Sequence, residues 1–145
     1  MVGLSCWMQS LLPPGEEMKR DKDLIRELML QLEQFNVVLP GYEYIYAGQF
    51  QSEGYDDQQI LYHLRLIADA GYIAIKRSSQ PVDGYLFQGL TNAGHDFVDA
   101  VRDPEIWGKT KHAATQAGGF SLDLLRDLAK GLIRKKIAEH TGIEI

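Results

Sequence analysis

The sequence has very little cysteine and no long apolar run, and both absences narrow the class of protein. Cys6 is the one cysteine in 145 residues, so the chain can form no internal disulfide and no multi-cysteine zinc site. No apolar run approaches the roughly 20 residues of a membrane-spanning helix. We therefore expect no metal site and no membrane partner. A single cysteine also fits a reducing cytoplasm.

The motifs of common enzyme classes are also missing. The sequence contains no phosphate-binding G-x-x-x-x-G-K-S/T, no G-x-S-x-G and no H-E-x-x-H. His95 and Asp96 are neighbours, but adjacent residues of a helix do not face each other, so capping or packing is the better interpretation. We expect no catalytic residue, no cofactor and no enzymatic activity.

An excess of basic charge is missing as well. The net charge is −5, which argues against a protein that coats nucleic acid indiscriminately, because phosphate binding requires cations. Residues 1–100 carry 7 Lys and Arg against 14 Asp and Glu, a net of −7, whereas residues 101–145 carry 8 against 6, a net of +2. Any DNA-binding face must therefore be a local patch on an acidic body.

The strongest pattern in the chain runs from Asp56 to Arg77. Asp56 and Gln59 have the spacing of a capping box at a helix start, and Gly71 fits the left-handed residue that ends a helix. A β-prone run follows the glycine. The helix has an apolar stripe made by Ile60, Leu61, Leu64, Ile67 and Ala68.

Part of this stretch is similar to winged-helix proteins. The residues that carry the likeness are His63, Leu64, Ile67, Ala70, Gly71, Tyr72 and Ile73. They resemble the recognition helix and the first wing strand of that fold. A winged helix also needs a short helix near Phe50–Tyr55, and residues 36–54 suggest either a short strand or a second small helix.

The flanking segments predict more helices and one β-hairpin. Residues 19–35 have the apolar period of a first helix. Residues 78–84 are a turn-rich tip before a second strand, which predicts the hairpin. Thr91 and Ser121 are expected to cap two later helices, and Pro104 to open another between them.

These segments predict an α+β fold, a winged helix-turn-helix with a β-hairpin wing and additional C-terminal helices. We expect residues 18–103 to form the winged-helix domain and residues 104–145 a helical segment packed on it. Residues 1–17 fit no periodic segment. They are interpreted as a disordered extension or as a mis-assigned start upstream of Met18.

Several short motifs follow one another in a fixed order along most of the chain. They are Met18-Lys19-Arg20-Asp21, Tyr62-His63-Leu64 with Ala70-Gly71, Leu90-Thr91-x-x-Gly94-His95-Asp96-Phe97 with Asp99-Ala100-Val101-Arg102-Asp103, Ile106-Trp107, and Gly118-Gly119-Phe120-Ser121-Leu122. Together they are similar to a family of bacterial and phage proteins known as domain of unknown function 2513. Residues 1–17 fall outside these motifs. The resemblance implies a winged-helix-like fold and no particular activity.

The central helix is the predicted DNA-binding element, because a helix in this position can enter the major groove. The side chains expected opposite its apolar stripe are Gln58, Gln59, Tyr62, His63 and Arg65. Gln can pair with adenine and Arg with guanine, while Lys76 and Arg77 at the wing can hold phosphates. For His63, a half-buried structural role is the preferred interpretation.

Two further interpretations concern partners. The apolar face of the last helix, with Leu125 and Leu132, suggests a homodimer that would bring two recognition helices to adjacent half-sites.

We expect a small cytoplasmic, transcription-associated protein of a phage, prophage or mobile element that binds double-stranded DNA. The nearby basic charge is offset by Asp56, Asp57 and Asp69, which weakens the case for DNA binding. The alternative is a winged-helix adaptor that binds another protein, for example in phage–host conflict.

Overall fold

The computed structural model describes residues 18–76 and 83–145. In chain order these residues form α1 (Lys22–Leu32), β1 (Glu43–Tyr46), a 3₁₀ helix (Ala47–Gln49), α2 (Asp57–Asp69), β2 (Ile73–Lys76), β3 (Gly84–Leu90), α3 (Asn92–Val101), α4 (Pro104–Gln116) and α5 (Leu122–Thr141). The fold is therefore mixed α+β. The predicted extension at residues 1–17, Arg77 and most of the predicted hairpin tip lie outside the described residues.

Each α-helix begins after a side chain that accepts a backbone N–H of its first turn. The capping residues are Asp21, Asp56, Thr91, Asp103 and Ser121. The caps predicted at Asp56, Thr91 and Ser121 are confirmed. The first helix is shorter than the predicted 19–35, because Asp21 accepts from the amides of Asp23 and Leu24 and so sets the helix start after itself.

The end of α2 is the glycine stop that the sequence predicts. Gly71 has a φ of +80°, and its N–H donates to the Ala68 carbonyl while the Tyr72 N–H donates to the Ile67 carbonyl. These two hydrogen bonds form a Schellman motif, which satisfies carbonyls that the helix leaves open. The chain therefore turns directly from α2 into β2.

The three strands are antiparallel, in the order β1-β3-β2. The pairing of β2 with β3 confirms the two strands of the predicted hairpin. Residues 43–49 are a strand followed by a 3₁₀ helix. The helix expected near Phe50–Tyr55 is not there, because the helical turn comes earlier, at Ala47–Gln49.

One buried cluster joins residues from Leu24 to Ala129, and the C-terminal helices contribute to it. The indole N–H of Trp107 on α4 donates to Asp23 at 2.9 Å, and the Tyr72 hydroxyl donates to Asp123 on α5 at 3.2 Å. Helices α4 and α5 therefore pack against the part of the chain that precedes residue 104. The predicted division into two units at that residue remains a prediction.

Candidate nucleic-acid interface

The polar side chains predicted for DNA contact do not all reach the surface of α2. Gln58 and Arg65 are exposed and Tyr62 is half-buried. Gln59 and His63 have only 6% and 2% of their surface exposed. The prediction that these two lie on the outward side of the helix is therefore wrong.

Gln59 is held by the capping box of its own helix. The side-chain amide oxygen of Gln59 accepts from the backbone N–H of Asp56 at 2.9 Å, and the backbone N–H of Gln59 donates to the Asp56 carboxylate at 2.8 Å. The side chain thus satisfies a backbone group at the helix start. Reading a base with this oxygen would break the cap.

His63 connects α2 to the residues that precede α1. Its Nε2 accepts from the Asp21 N–H at 2.9 Å, and its Nδ1 contacts the Gln59 carbonyl at 2.7 Å. A backbone N–H can only donate, so Nε2 must be the bare nitrogen, and Nδ1 must carry the proton that is donated to Gln59. The structural interpretation of His63 therefore accounts for both ring nitrogens.

Asp21 completes this buried network. One carboxylate oxygen caps α1, and the other accepts from the Tyr55 hydroxyl at 2.6 Å. Burial, together with the hydrogen bond to Asp21, raises the pKa of Tyr55 to about 12. The first turns of α1 and α2 are therefore fixed to each other by polar contacts.

The outward side of α2 carries charges of both signs. Four side chains lie on this side of the helix, because they recur at spacings of four, three and four residues. They are Gln58, Tyr62, Arg65 and Asp69. The Arg65 guanidinium lies 3.7 Å from the Asp69 carboxylate, and both side chains are largely exposed. Asp56 and Asp57 add exposed negative charge at the start of the helix.

Lys76 is half-buried at the end of β2. Its ammonium lies 5.2 Å from the centre of the Tyr42 ring, a distance at which a cation is attracted to the ring face. Its predicted partner at the wing, Arg77, lies outside the described residues.

Three cations that the sequence analysis did not assign to the site lie beside the start of α2. Lys19, Arg20 and Lys22 line a cleft of about 430 Å³ together with Asp21, Asp23, Tyr55, Gln59 and His63. The guanidinium of Arg20 donates to the Phe120 carbonyl at 3.0 Å and lies over the Phe120 ring. The signal was present in the sequence, since Lys19, Arg20 and Phe120 all belong to the segments that resemble the family.

The two leucines predicted at a dimer interface have different positions. Leu125 is fully buried within its own chain, so a second copy cannot contact it and this part of the prediction is wrong. Leu132 is half-buried and lines a cleft between α4 and α5. The error arises because the side of α5 chosen from the sequence is the side that packs on the protein core.

Two searches of the described residues give negative results. Among residues 18–76 and 83–145, no three His, Cys, Asp or Glu side chains converge as a set that could hold a metal ion. Within the same ranges, no helix is both long enough and apolar enough to span a membrane.

Comparisons with known proteins identify relatives over most of the chain. A family model described as Hypothetical protein (DUF2513) matches residues 19–121. The chain is also similar to an uncharacterized protein of Haemophilus influenzae, with 30% identity over 126 residues that cover 83% of this chain and 100% of the relative. No solved structure matches the chain.

Proposed function

The chain belongs to the DUF2513 family, and we propose that this member is a small winged-helix protein that binds double-stranded DNA through α2. The role proposed for it is transcription-associated. Its proposed origin in a phage, prophage or mobile element rests on the resemblance to a family of bacterial and phage proteins.

The observation that carries the proposal is the order of the elements. A helix, a strand, a short helical turn, a second helix and two paired strands follow one another, and the strand order is β1-β3-β2. Winged helices have this order. The 3₁₀ helix at Ala47–Gln49 then takes the place of the short helix of the helix-turn-helix, and α2 takes the place of the recognition helix.

The outward side of α2 supplies the proposed base contacts. Gln58 lies in the first turn, where a recognition helix comes nearest to base edges, and its amide suits adenine. Arg65 lies two turns later on the same side, and a guanidinium suits the two acceptors of guanine. Tyr62 lies between them as an apolar contact.

The proposed phosphate contacts are Lys76 at the end of β2 and the three cations of the cleft at the start of α2, Lys19, Arg20 and Lys22. The carboxylates in the same cleft have partners of their own. Burial alone would raise the pKa of Asp23, but hydrogen bonds from Lys111 and Trp107 lower it below the ordinary value. Because the Lys111 ammonium lies 2.9 Å from Asp23 and offsets its charge, the three cations of the cleft outnumber its other carboxylate, Asp21.

The proposal is tested by separating base contacts from phosphate contacts. Duplexes enriched from a random pool are compared with unselected duplexes, using Gln58→Ala, Arg65→Ala and Lys76→Ala. We expect the first two to cost about 1–3 kcal/mol on the enriched duplex and little on unselected DNA. Lys76→Ala should weaken binding to both duplexes equally.

Arg134→Ala is the matched control, because Arg134 is an exposed cation on α5. It should leave both affinities unchanged. Equal losses for Gln58→Ala and Arg134→Ala on the enriched duplex would show that α2 does not read bases.

One observation favours a second candidate, a winged-helix adaptor that binds another protein. Asp56, Asp57 and Asp69 are exposed on the same helix as Arg65, and carboxylates repel DNA phosphates but suit a basic protein surface. The two candidates predict opposite results for Asp57→Asn and Asp69→Asn. If α2 binds DNA, both variants bind duplex DNA more tightly than wild type does. If α2 binds a basic protein, both variants capture less of that protein than wild type does.

A further inference from the structure

Helix α5 has a side that its own chain leaves open to solvent. On a helix with 100° per residue, six residues fall on that side. Gly131, Asp127 and Lys135 are exposed, Leu124 has 38% of its surface exposed, and Leu128 and Ala138 are half-buried. The α5 outer face is defined by these residues: Leu124, Asp127, Leu128, Gly131, Lys135 and Ala138.

Gly131 lies at the centre of the α5 outer face, and packing within the described residues does not require a glycine there. A Cβ added at this position meets nothing within 4 Å. A glycine inside a helix is less stable than alanine, because it loses more backbone freedom on folding. Glycine is instead suited to a point where another backbone approaches closely.

The charges of the α5 outer face are arranged symmetrically about Gly131. Asp127 precedes the glycine by four residues and Lys135 follows it by four. If two antiparallel copies of α5 cross at Gly131, Asp127 of each copy lies opposite Lys135 of the other, so two ion pairs form. Leu124 then lies opposite Ala138. Parallel copies would instead place like charges together.

Both charged groups are able to make these pairs. Among the residues that the structure describes, the Asp127 carboxylate pairs with its neighbour Arg126 alone, at 3.3 Å on the exposed surface, and such a pair contributes little. Lys135 lines the edge of the cleft between α4 and α5 and makes no hydrogen bond or ion pair within the described residues. The charge pattern therefore specifies a second copy of this chain as the occupant of the face.

We propose that the protein forms a two-fold symmetric dimer through the α5 outer face, with antiparallel helices crossing at Gly131. The proposal deepens the proposed function, because a dimer presents two copies of α2 to paired half-sites. The dimer does not depend on DNA, so its failure and the failure of DNA binding are separate results. Two crossing helices bury a small interface, so we expect a dimer that dissociates on dilution.

The test is sedimentation velocity over a concentration series of the full chain at low salt. Wild type should convert from monomer to dimer as the concentration rises. Asp127→Lys and Lys135→Asp each replace two attractions by two repulsions and should raise the dimer Kd about tenfold. The double variant Asp127→Lys/Lys135→Asp re-forms both pairs and should restore the wild-type Kd.

Lys130→Asp is the control, because it makes the same charge change on another side of α5 and should leave the dimer Kd unchanged.

Gly131→Ala gives a second readout. It should raise the Tm of the dilute monomer through its better helix propensity, and it should weaken the dimer by separating the helices. A wild type that stays monomeric at every concentration overturns the proposal. A double variant that is no better than either single variant also overturns it, as does a Gly131→Ala variant with an unchanged dimer Kd.

Discussion

Among single residues, His63 connects the start of α1 to α2. It accepts from the backbone before α1, donates to the backbone of α2, and its ring meets the Tyr62 ring edge-to-face at 5.7 Å between centroids. A neutral imidazole with the proton on Nδ1 satisfies both hydrogen bonds at once. The residue therefore stabilises the joint between the two helices on which the proposed DNA surface depends.

We predict that His63→Leu lowers the free energy of unfolding by about 1–3 kcal/mol, because it leaves the Asp21 N–H without its acceptor. Urea denaturation measures the loss. His140→Leu is the control, since His140 is exposed and its change should stay within about 0.5 kcal/mol. Long-range ¹H–¹⁵N correlation spectra should show the proton of His63 on Nδ1, and a proton on Nε2 would contradict this bonding.

Tyr72 gives a prediction at alkaline pH. Burial, with the nearby Asp123, raises its pKa to about 12, and the hydroxyl is protonated in the folded state. The unfolded tyrosine titrates near its ordinary pKa of about 10. The contribution of Tyr72 to stability is therefore complete below about pH 10 and is lost as the pH rises toward 12.

We expect the free energy of unfolding to fall between about pH 10 and 12, with Tyr72 and Tyr55 contributing to the slope. Tyr72→Phe should flatten the slope, since phenylalanine does not ionise. Urea denaturation at several pH values measures it. A Tyr72→Phe variant with the wild-type slope would show that this hydroxyl titrates normally.

What the sequence reveals at this scale depends on whether a contact is local. The capping box of Asp56 and Gln59 was predictable, because both residues lie within one helical turn. The half-buried role of His63 was also expected, but its hydrogen bond with Asp21 was not, because Asp21 lies 42 residues before it in the sequence. Periodicity places a side chain on one side of a helix and gives no information about which distant segment covers that side.

Among the elements, α1 contributes one side chain, Arg26, that bonds to the end of α3. The Arg26 guanidinium, which has 12% of its side chain exposed, donates to the Val101 carbonyl at 2.7 Å and to the Arg102 carbonyl at 2.8 Å. These carbonyls lie at the C-terminal end of α3, where the last carbonyl groups of a helix have no N–H partner within the helix. A cation is also favourable there because of the helix dipole.

We predict that Arg26→Met lowers the free energy of unfolding by about 1.5–3 kcal/mol, because it keeps the apolar stem but removes two charge-assisted hydrogen bonds. Urea denaturation again measures the change. Arg134→Met is the exposed control and should stay within about 0.5 kcal/mol. If both variants unfold alike, Arg26 does not cap α3.

The elements show which sequence signals are sufficient. Strong periodicity and a glycine stop predicted α2 and its C-terminal end, and a turn-rich tip predicted the pairing of β2 with β3. Residues 36–54 were expected to form either a short strand or a small helix, and they contain both; the 3₁₀ helix at Ala47–Gln49 was not located in advance, because so short a helical turn has little sequence signal. The inward side of α5 was visible as an apolar face, but the sequence did not reveal which of its leucines the core would cover.

At the scale of the whole molecule, segments far apart in the sequence meet around the start of α2. Arg20 contacts Phe120, and Asp23 contacts Trp107 and Lys111. These contacts hold Lys19, Arg20 and Lys22 beside α2, where they extend the proposed phosphate surface beyond Lys76. The acidic composition of the chain therefore does not exclude DNA binding, because three cations lie together beside the start of α2.

The balance of charge predicts how this binding depends on salt. Each phosphate neutralised by a cation contributes about −0.9 to the slope of log affinity against log salt concentration. Asp56 and Asp57 oppose the cations, so binding should be modest and strongest at low salt. Lys76→Ala should make the slope less negative by about one unit.

The central claim, that this chain binds duplex DNA through α2, is tested most directly by fluorescence anisotropy of wild type on fragmented genomic duplexes, titrated with salt from a low-salt start. We predict saturable binding whose log affinity falls linearly with log salt concentration, and whose strength drops with Arg65→Ala. If no duplex shows salt-sensitive binding to the wild type under low-salt conditions, the claim is contradicted.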